Sequence, residues 1–259
     1  MGLFWADSHF KTRSTCSSLD SSSCDKKFYE KCPILKHKFK NTCSDDIKND
    51  EINLLNKVPK NLPQTKAHGQ KIVLPTKRTM SSIPRYDTNE NWEYPSPQQM
   101  YHAIIQKGHL NVQEDAVEPM VEIHNFLNES AWNEIKKWEE RRGCYNPKLS
   151  HFKGRASNPT LKSRLLYYIG KIYPSKFAYF YVRFSLPFDT HDWYVSRDGK
   201  IVRYVIDYYD APSEPSGEPV FYLDIRPAID TPTAAYDRIC VWTSNVWIQL
   251  SKKLEELLS

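Results

Sequence analysis

Glycine is scarce in this chain, eight in 259 residues, and neither G-x-G-x-x-G nor G-x-x-x-x-G-K-[ST] occurs. A backbone cradle for phosphates therefore has no support in the sequence. G-x-S-x-G and H-E-x-x-H are also missing, which removes the usual signatures of nucleophile-elbow hydrolases and of helix-borne zinc pairs. His191-Asp192 offers part of a Ser/His/Asp set, but no marked nucleophile accompanies it. The six cysteines, at 16, 24, 32, 43, 144 and 240, fit neither a dense disulfide scaffold nor C-x-x-C zinc spacing. No apolar run approaches the ~20 residues of a spanning helix. The opening MGLFWADSHFKTRS has no apolar secretory core, and Ala6 stands where myristoylation wants Ser or Thr. The expectation is a soluble or peripheral protein. Its formal charge of +5 is mild and mixed in sign, which suits an anionic membrane surface or a carboxylate-bearing ligand and does not point to nucleic acid.

Aromatic and β-branched residues are plentiful, and they concentrate between Pro187 and Asp230. Asp198-Gly199 is a hairpin signal between a segment around His191–Val195 and the strand-like run Ile201–Tyr209. A Pro/Gly/Ser loop leads on to Val220–Arg226. Alternation puts Val202, Tyr204, Ile206 and Tyr208 on one face, and Arg203 and Asp207 on the other. In the next strand Tyr222, Asp224 and Arg226 oppose Phe221, Leu223 and Ile225. This predicts an antiparallel meander with one apolar face and one face of Tyr, Asp and Arg.

Residues 1–80 are poor in aliphatics and rich in Ser, Lys, Asn and Asp, which predicts a disordered N-terminal arm. Cys32-Pro33 within it is the dipeptide by which some regulatory segments bind haem through a thiolate. From Ile83 the texture changes. Ser96 is placed as an N-cap and Pro97 as the first residue of a helix running to Lys107. Met120, Ile123, His124 and Leu127 can share a helical face, and Asn128-Glu129-Ser130 offers caps for a second helix through Arg142, with Glu129 in its first turn. Residues 146–163 read as a basic connector, Leu161–Ile169 as a helix and the aromatic run Ile172–Leu186 as a strand. Thr231-Pro232-Thr233 opens a long helix whose stripe is Ala235, Ile239, Trp242, Val246, Leu250, Leu254 and Leu257. The fold class expected is α+β: helices in 95–170, a sheet in 172–227 and a C-terminal helix over 233–257, together forming one domain from residue 81.

Histidines, tryptophans and tyrosines interleaved with arginines suit a large, flat, amphiphilic ligand such as haem. Its ring wants aromatic walls, its propionates want Arg or Tyr donors and its iron wants an axial ligand. Arg203 and Arg226 on the polar face of the meander are candidate propionate partners.

The blocks SIPRYDTNENWEYPSPQQMYHAIIQKG, MVEIHNFLNESAWNEIKKWE, LPFDTHDWYVSRDGKIVRYVIDYYD and YLDIRPAIDTPTAAYDR resemble, in order, those of the holocytochrome c synthase family, also called cytochrome c-type haem lyase. The resemblance covers about Ile83 to Trp247. It implies that His124 is the axial ligand of haem iron, that Glu129 is the acidic residue supporting it, and that Trp92 and Tyr94 contact haem or substrate. It further implies a lyase that joins the vinyl groups of haem b to the cysteines of a C-x-x-C-H motif in apocytochrome c or c1. The family's place is the mitochondrial intermembrane space, peripheral on the inner membrane. One departure is Thr190, where an arginine is common after P-F-D. His191 is the one guess at a proton donor. A haem chaperone or sensor that leaves the vinyls untouched, and a scaffold without haem, remain as alternatives.

Overall fold

A computed structural model describes residues 11–13, 62–106, 112–155, 158–172, 185–211 and 220–258. Two short strands follow β1 (Lys11–Arg13): β2 (Met80–Pro84) and β3 (Asn91–Glu93) pair as an antiparallel hairpin. Then come α1 (Pro97–Gln106), a single 3-10 turn at Glu114–Ala116, and α2 (Val117–Glu140). Next are β4 (Lys148–Gly154) and α3 (Leu161–Ile172). The chain finishes with β5 (Asp189–Arg197), β6 (Lys200–Ala211), β7 (Val220–Pro227) and α4 (Pro232–Leu258). Strands β4 to β7 form an antiparallel sheet in the order β7-β6-β5-β4, and β1 pairs along the outer edge of β7. The α+β class expected from sequence is the observed one.

The β5–β6 hairpin turns at Asp198 and Gly199, with φ of 48° and 82°, the left-handed pair that suits a twisted two-residue turn. Alternation then sorts the sheet as expected. Trp193, Val195, Tyr204, Ile206, Tyr208, Phe221, Leu223 and Ile225 join the main core with Leu127, Trp132, Ile135 and Trp138 of α2.

Helix α2 is continuous, and this corrects the expectation of a break after His124. The buried positions Val117, Met120, Val121, Leu127, Ala131, Trp132, Ile135 and Trp138 hold one helical phase across Asn128-Glu129-Ser130. Packing of that face overrides the local preference of those residues for caps. Glu129 is consequently in mid-helix, not in a first turn. At the far end Glu139, fully buried, accepts hydrogen bonds from Arg197 Nε (2.5 Å) and Nη2 (3.0 Å) and from Tyr204 Oη (2.6 Å), and Trp138 Nε1 donates to the Ile225 carbonyl (3.1 Å).

Other boundaries also differ. The stretch read as a connector contains β4, whose register shifts between Leu149 and His151. That bulge breaks the period-2 pattern by which a strand is recognised. Packing also involves residues before 81: Leu62 and Leu74 are buried, and Gln70 and Gln98 exchange two amide hydrogen bonds of 2.9 Å. Glu114 accepts from the backbone N–H of Lys71 (2.9 Å) and so ties this strap to the start of α2. Ser96 and Gln99 form a reciprocal capping box on α1, each bond 3.2 Å. Helix α3 extends to Ile172, and the remainder of the aromatic run, 173–184, lies outside the described residues. On α4, capped by Thr231, Ala234 and Asp237 are buried while Ile239 is exposed, so the inward face is rotated from the stripe expected. The side chains of Val246, Leu250, Leu254 and Leu257 lie outside the described residues.

The polar face of the sheet is an ion network beneath α3. Arg226 Nη2 meets Asp207 Oδ2 at 2.6 Å, Arg226 Nη1 meets Asp224 Oδ2 at 2.7 Å, and Lys162 reaches Asp224 at 2.8 Å. Burial works against an ionised Asp224, but Arg226 and Lys162 outweigh it and hold its carboxyl well below the usual range. The sign of the linkage follows: this contribution to stability is fully present above about pH 4, the ordinary Asp value, and is lost as pH falls toward the depressed one. Removing Arg226 strands two buried carboxylates. Arg226→Met is expected to cost about 3–5 kcal/mol in urea unfolding. Glu93→Ala, which frees the half-exposed Arg78, is expected to cost less than about 1 kcal/mol; equal losses would contradict this reading of the network.

Candidate functional site

Helix α2 carries His124 about four turns before Glu139, on the side turned toward the end of the sheet where β5 begins and β6 finishes. The imidazole is half-buried, and its Nδ1 lies 3.0 Å from the Met120 carbonyl one turn back. A carbonyl only accepts, so Nδ1 carries the hydrogen and Nε2 carries the lone pair. That tautomer leaves Nε2 able to ligate a metal, with the ring oriented by the bond on its other nitrogen.

The β2–β3 hairpin is clamped to the same helix by Glu129. The Glu129 carboxylate accepts from Ser82 N (2.9 Å), from the Ser82 hydroxyl and from Tyr94 Oη (2.9 Å). Burial, reinforced by this carboxylate, pushes the Tyr94 phenol well above its ordinary pKa, so it stays a donor. Trp92 is buried, donates from Nε1 to the Leu149 carbonyl at 3.3 Å, meets Phe152 edge-on at 5.8 Å and lies beneath the Arg85 guanidinium at 4.9 Å. The structure thus brings Tyr94 and Glu129 into contact and fixes Trp92 beside them, on the helix that bears His124.

Facing α2 from the sheet are Asp189, His191 and Tyr208. His191 Nε2 lies 2.9 Å from Asp189 Oδ2, and Asp189 is the direct cross-strand partner of Tyr208. Burial opposes charge on Asp189, but the hydrogen bond from His191 outweighs it, so its carboxyl is held below the usual range. Phe188 lies 6.2 Å from Tyr208 and 6.1 Å from Phe221, ring to ring, and with Ile123 and Phe126 supplies a partly buried apolar rim to the core. A tautomer-fixed imidazole, aromatic walls and phenol donors in one place form a set that fits a haem.

Arg203 and Arg226 are not part of it. Alternation places both on the opposite sheet face, where Arg226 is committed to Asp207 and Asp224, and Arg203 to Asp230 (2.6 Å) and Asp192 (3.2 Å). Thr190 is there too, donating to Asp207 at 3.0 Å. Cys32 lies outside the described residues. Asp189 and Tyr208 were not singled out in the sequence. The usable signal was their position: Asp189 and His191 alternate in phase with Trp193, on the face that packs against α2.

Comparison with known proteins agrees with these blocks. The family model described as cytochrome c/c1 heme lyase matches residues 11–145 and 141–242, starting earlier than the Ile83 boundary of the resemblance. A holocytochrome-c synthase of Saccharomyces cerevisiae is 39% identical over 92% of this chain and 93% of its own length. A human holocytochrome c-type synthase is 37% identical over 83% of the chain and 77% of its own length. A putative holocytochrome-c1 synthase of Schizosaccharomyces pombe is 37% identical over 70% of the chain and 80% of its own length. No solved structure matches.

The clamp generates a prediction. Glu129→Ala removes the acceptor of three donors and leaves the buried Tyr94 hydroxyl without one; urea unfolding should show a loss of about 1–3 kcal/mol. Tyr94→Phe removes donor and need together and should cost no more than about 1 kcal/mol. A larger loss for Tyr94→Phe than for Glu129→Ala would refute the clamp.

Proposed function

The chain belongs to the cytochrome c/c1 heme lyase family, and from that membership we infer that it attaches haem to an apocytochrome by thioether formation. The substrate is haem b, and the acceptor is the C-x-x-C-H segment of apocytochrome c or c1. His124 is the iron ligand contributed by this chain. The observation that carries this assignment is its tautomer, fixed by the Met120 carbonyl at the apolar rim of Ile123, Phe126 and Phe188.

The work of the chain's own residues is positional. Glu129 locks the β2–β3 hairpin to α2, so that Trp92 and Tyr94 keep a fixed relation to His124. Thiolates are intrinsically good nucleophiles, and the difficult part of the reaction is bringing two thiols beside two vinyl groups in one geometry. Orientation of that kind accounts for most of the acceleration expected here. When the finished cytochrome folds, its own ligand displaces His124 and the product leaves.

The place of action is proposed as the mitochondrial intermembrane space, peripheral on the inner membrane. Among the described residues no helix is long and apolar enough to cross a membrane. Helix α3 supports surface attachment, because Leu161, Leu165, Tyr168 and Ile172 recur on one side and are all exposed.

Co-production with an apocytochrome c under haem-replete conditions tests the function. Wild-type protein should copurify with haem, sediment with membranes and yield apocytochrome carrying haem that survives denaturation. His124→Ala should lose the bound haem and lower covalent product more than tenfold, while its melting temperature stays within a few degrees of wild type. Haem that binds wild-type protein without ever becoming covalent on the partner would support a chaperone instead, and full haem loading of His124→Ala would displace His124 as the ligand.

A further inference from the structure

We propose that Asp189, His191 and the Tyr208 hydroxyl are the proton-handling group of this site, moving the proton that leaves the thiol and the proton that reaches the vinyl carbon. The inference rests on the lyase reading above and goes beyond it by assigning a step that orientation alone does not perform.

The geometry is that of an oriented base. Asp189 Oδ2 holds His191 Nε2 at 2.9 Å, so Nε2 carries the hydrogen and Nδ1 presents the lone pair. Tyr208 meets the His191 ring edge-on at 5.2 Å and stands directly across from Asp189 in the sheet. His191 Nδ1 and Tyr208 Oη are both buried and make no hydrogen bond among the described residues. Buried polar atoms in folded proteins nearly always have a partner, and an orphan calls for an explanation, of which a catalytic role is one. Here two lie together, on the face that α2 covers, at the end where His124 stands.

The other carboxylates already have partners. Glu129 accepts from Ser82 and Tyr94, and the carboxylates of the opposite face are held by arginines. By contrast, Tyr204 in the buried cluster at the other end of α2 has its hydroxyl bonded to Glu139. That phenol is satisfied; Tyr208 has no such partner among the described residues. The Tyr208 phenol, raised by burial and by Asp189, stays protonated and can donate.

Addition of a thiol across a vinyl group is redox-neutral. The S–H bond and the π component of C=C break; a C–S bond forms at the inner vinyl carbon and a C–H bond at the outer one. In our assignment His191 Nδ1 takes the thiol proton while Asp189 stabilises the resulting imidazolium. The same imidazolium, or the Tyr208 hydroxyl reprotonated from it, delivers a proton to the outer carbon. No electron is gained or lost and no further reactant is needed.

The test separates binding from chemistry. Wild type, His191→Gln and Tyr208→Phe are each co-produced with an apocytochrome c, and three quantities are read: haem bound per protein, apocytochrome captured by the affinity-tagged protein, and covalent haem yield. The His191→Gln variant should retain haem loading and capture within twofold, should accumulate a noncovalent complex of protein, haem and apocytochrome, and should lose covalent product by about 10²-fold, the usual scale for a proton-transfer group. Tyr208→Phe deletes an oxygen that makes no bond to any described residue, so it should melt like wild type and still slow the covalent step. Covalent yield within twofold of wild type in both variants would overturn the proposal while leaving the lyase reading intact. Parallel loss of haem loading and covalent product in Tyr208→Phe would also overturn it, by making the cluster a haem-holding wall. Failure of the wild type to form covalent product would sink the lyase reading itself.

Discussion

The buried carboxylate of Glu139 fixes the rest of this structure. It sits fully inside the protein and is bonded by Arg197 of β5 and Tyr204 of β6, an arrangement that pins one end of α2 to one point on the sheet. A charge buried this deeply is tolerated only with its partners in place. Because α2 is a single unbroken helix, that pin sets the rotation and height of every residue along it. His124 lies fifteen residues upstream, about 22 Å along the axis at 1.5 Å per residue, and fifteen steps of about 100° leave it about 60° round the helix from Glu139. The place of His124 at one end is therefore set by an ion pair at the other.

This explains which parts of the fold were legible in sequence. The meander was, because its strands alternate cleanly and its turn carries Asp198-Gly199, the residues that left-handed backbone angles favour. Start signals of α1 and α4 were legible for a similar reason, since Ser96 and Thr231 act within three residues of themselves. Continuity of α2 was not, because Asn128 and Ser130 carry a local preference that only the buried stripe against the sheet overrules. The β4 strand was hidden by its bulge, and the strap before residue 81 by its polarity: it is held by the Gln70–Gln98 amide exchange and by Glu114, contacts distant in sequence.

The site shows the same division. His124, Glu129, Trp92 and Tyr94 were named through motifs, and three of these four share one constellation through direct contact or a common helix. What the motifs did not carry was the role of the sheet. Attention to charge drew the eye to Arg203 and Arg226, whose face is filled by its own counter-ions. The face that looked wholly apolar holds Asp189, His191 and Tyr208 at its end, and there two polar atoms have no partner among the described residues.

The central claim is that haem is held on the α2 face of the sheet, with His124 Nε2 on the iron and the Asp189–His191 pair beside the ring. A crystal structure of the protein with haem bound tests it most directly. The account predicts iron coordinated by His124 Nε2, with the ring edge against Tyr208 and His191; haem seated on the opposite face against Arg203 and Arg226, or iron held by a different residue of this chain, would contradict it.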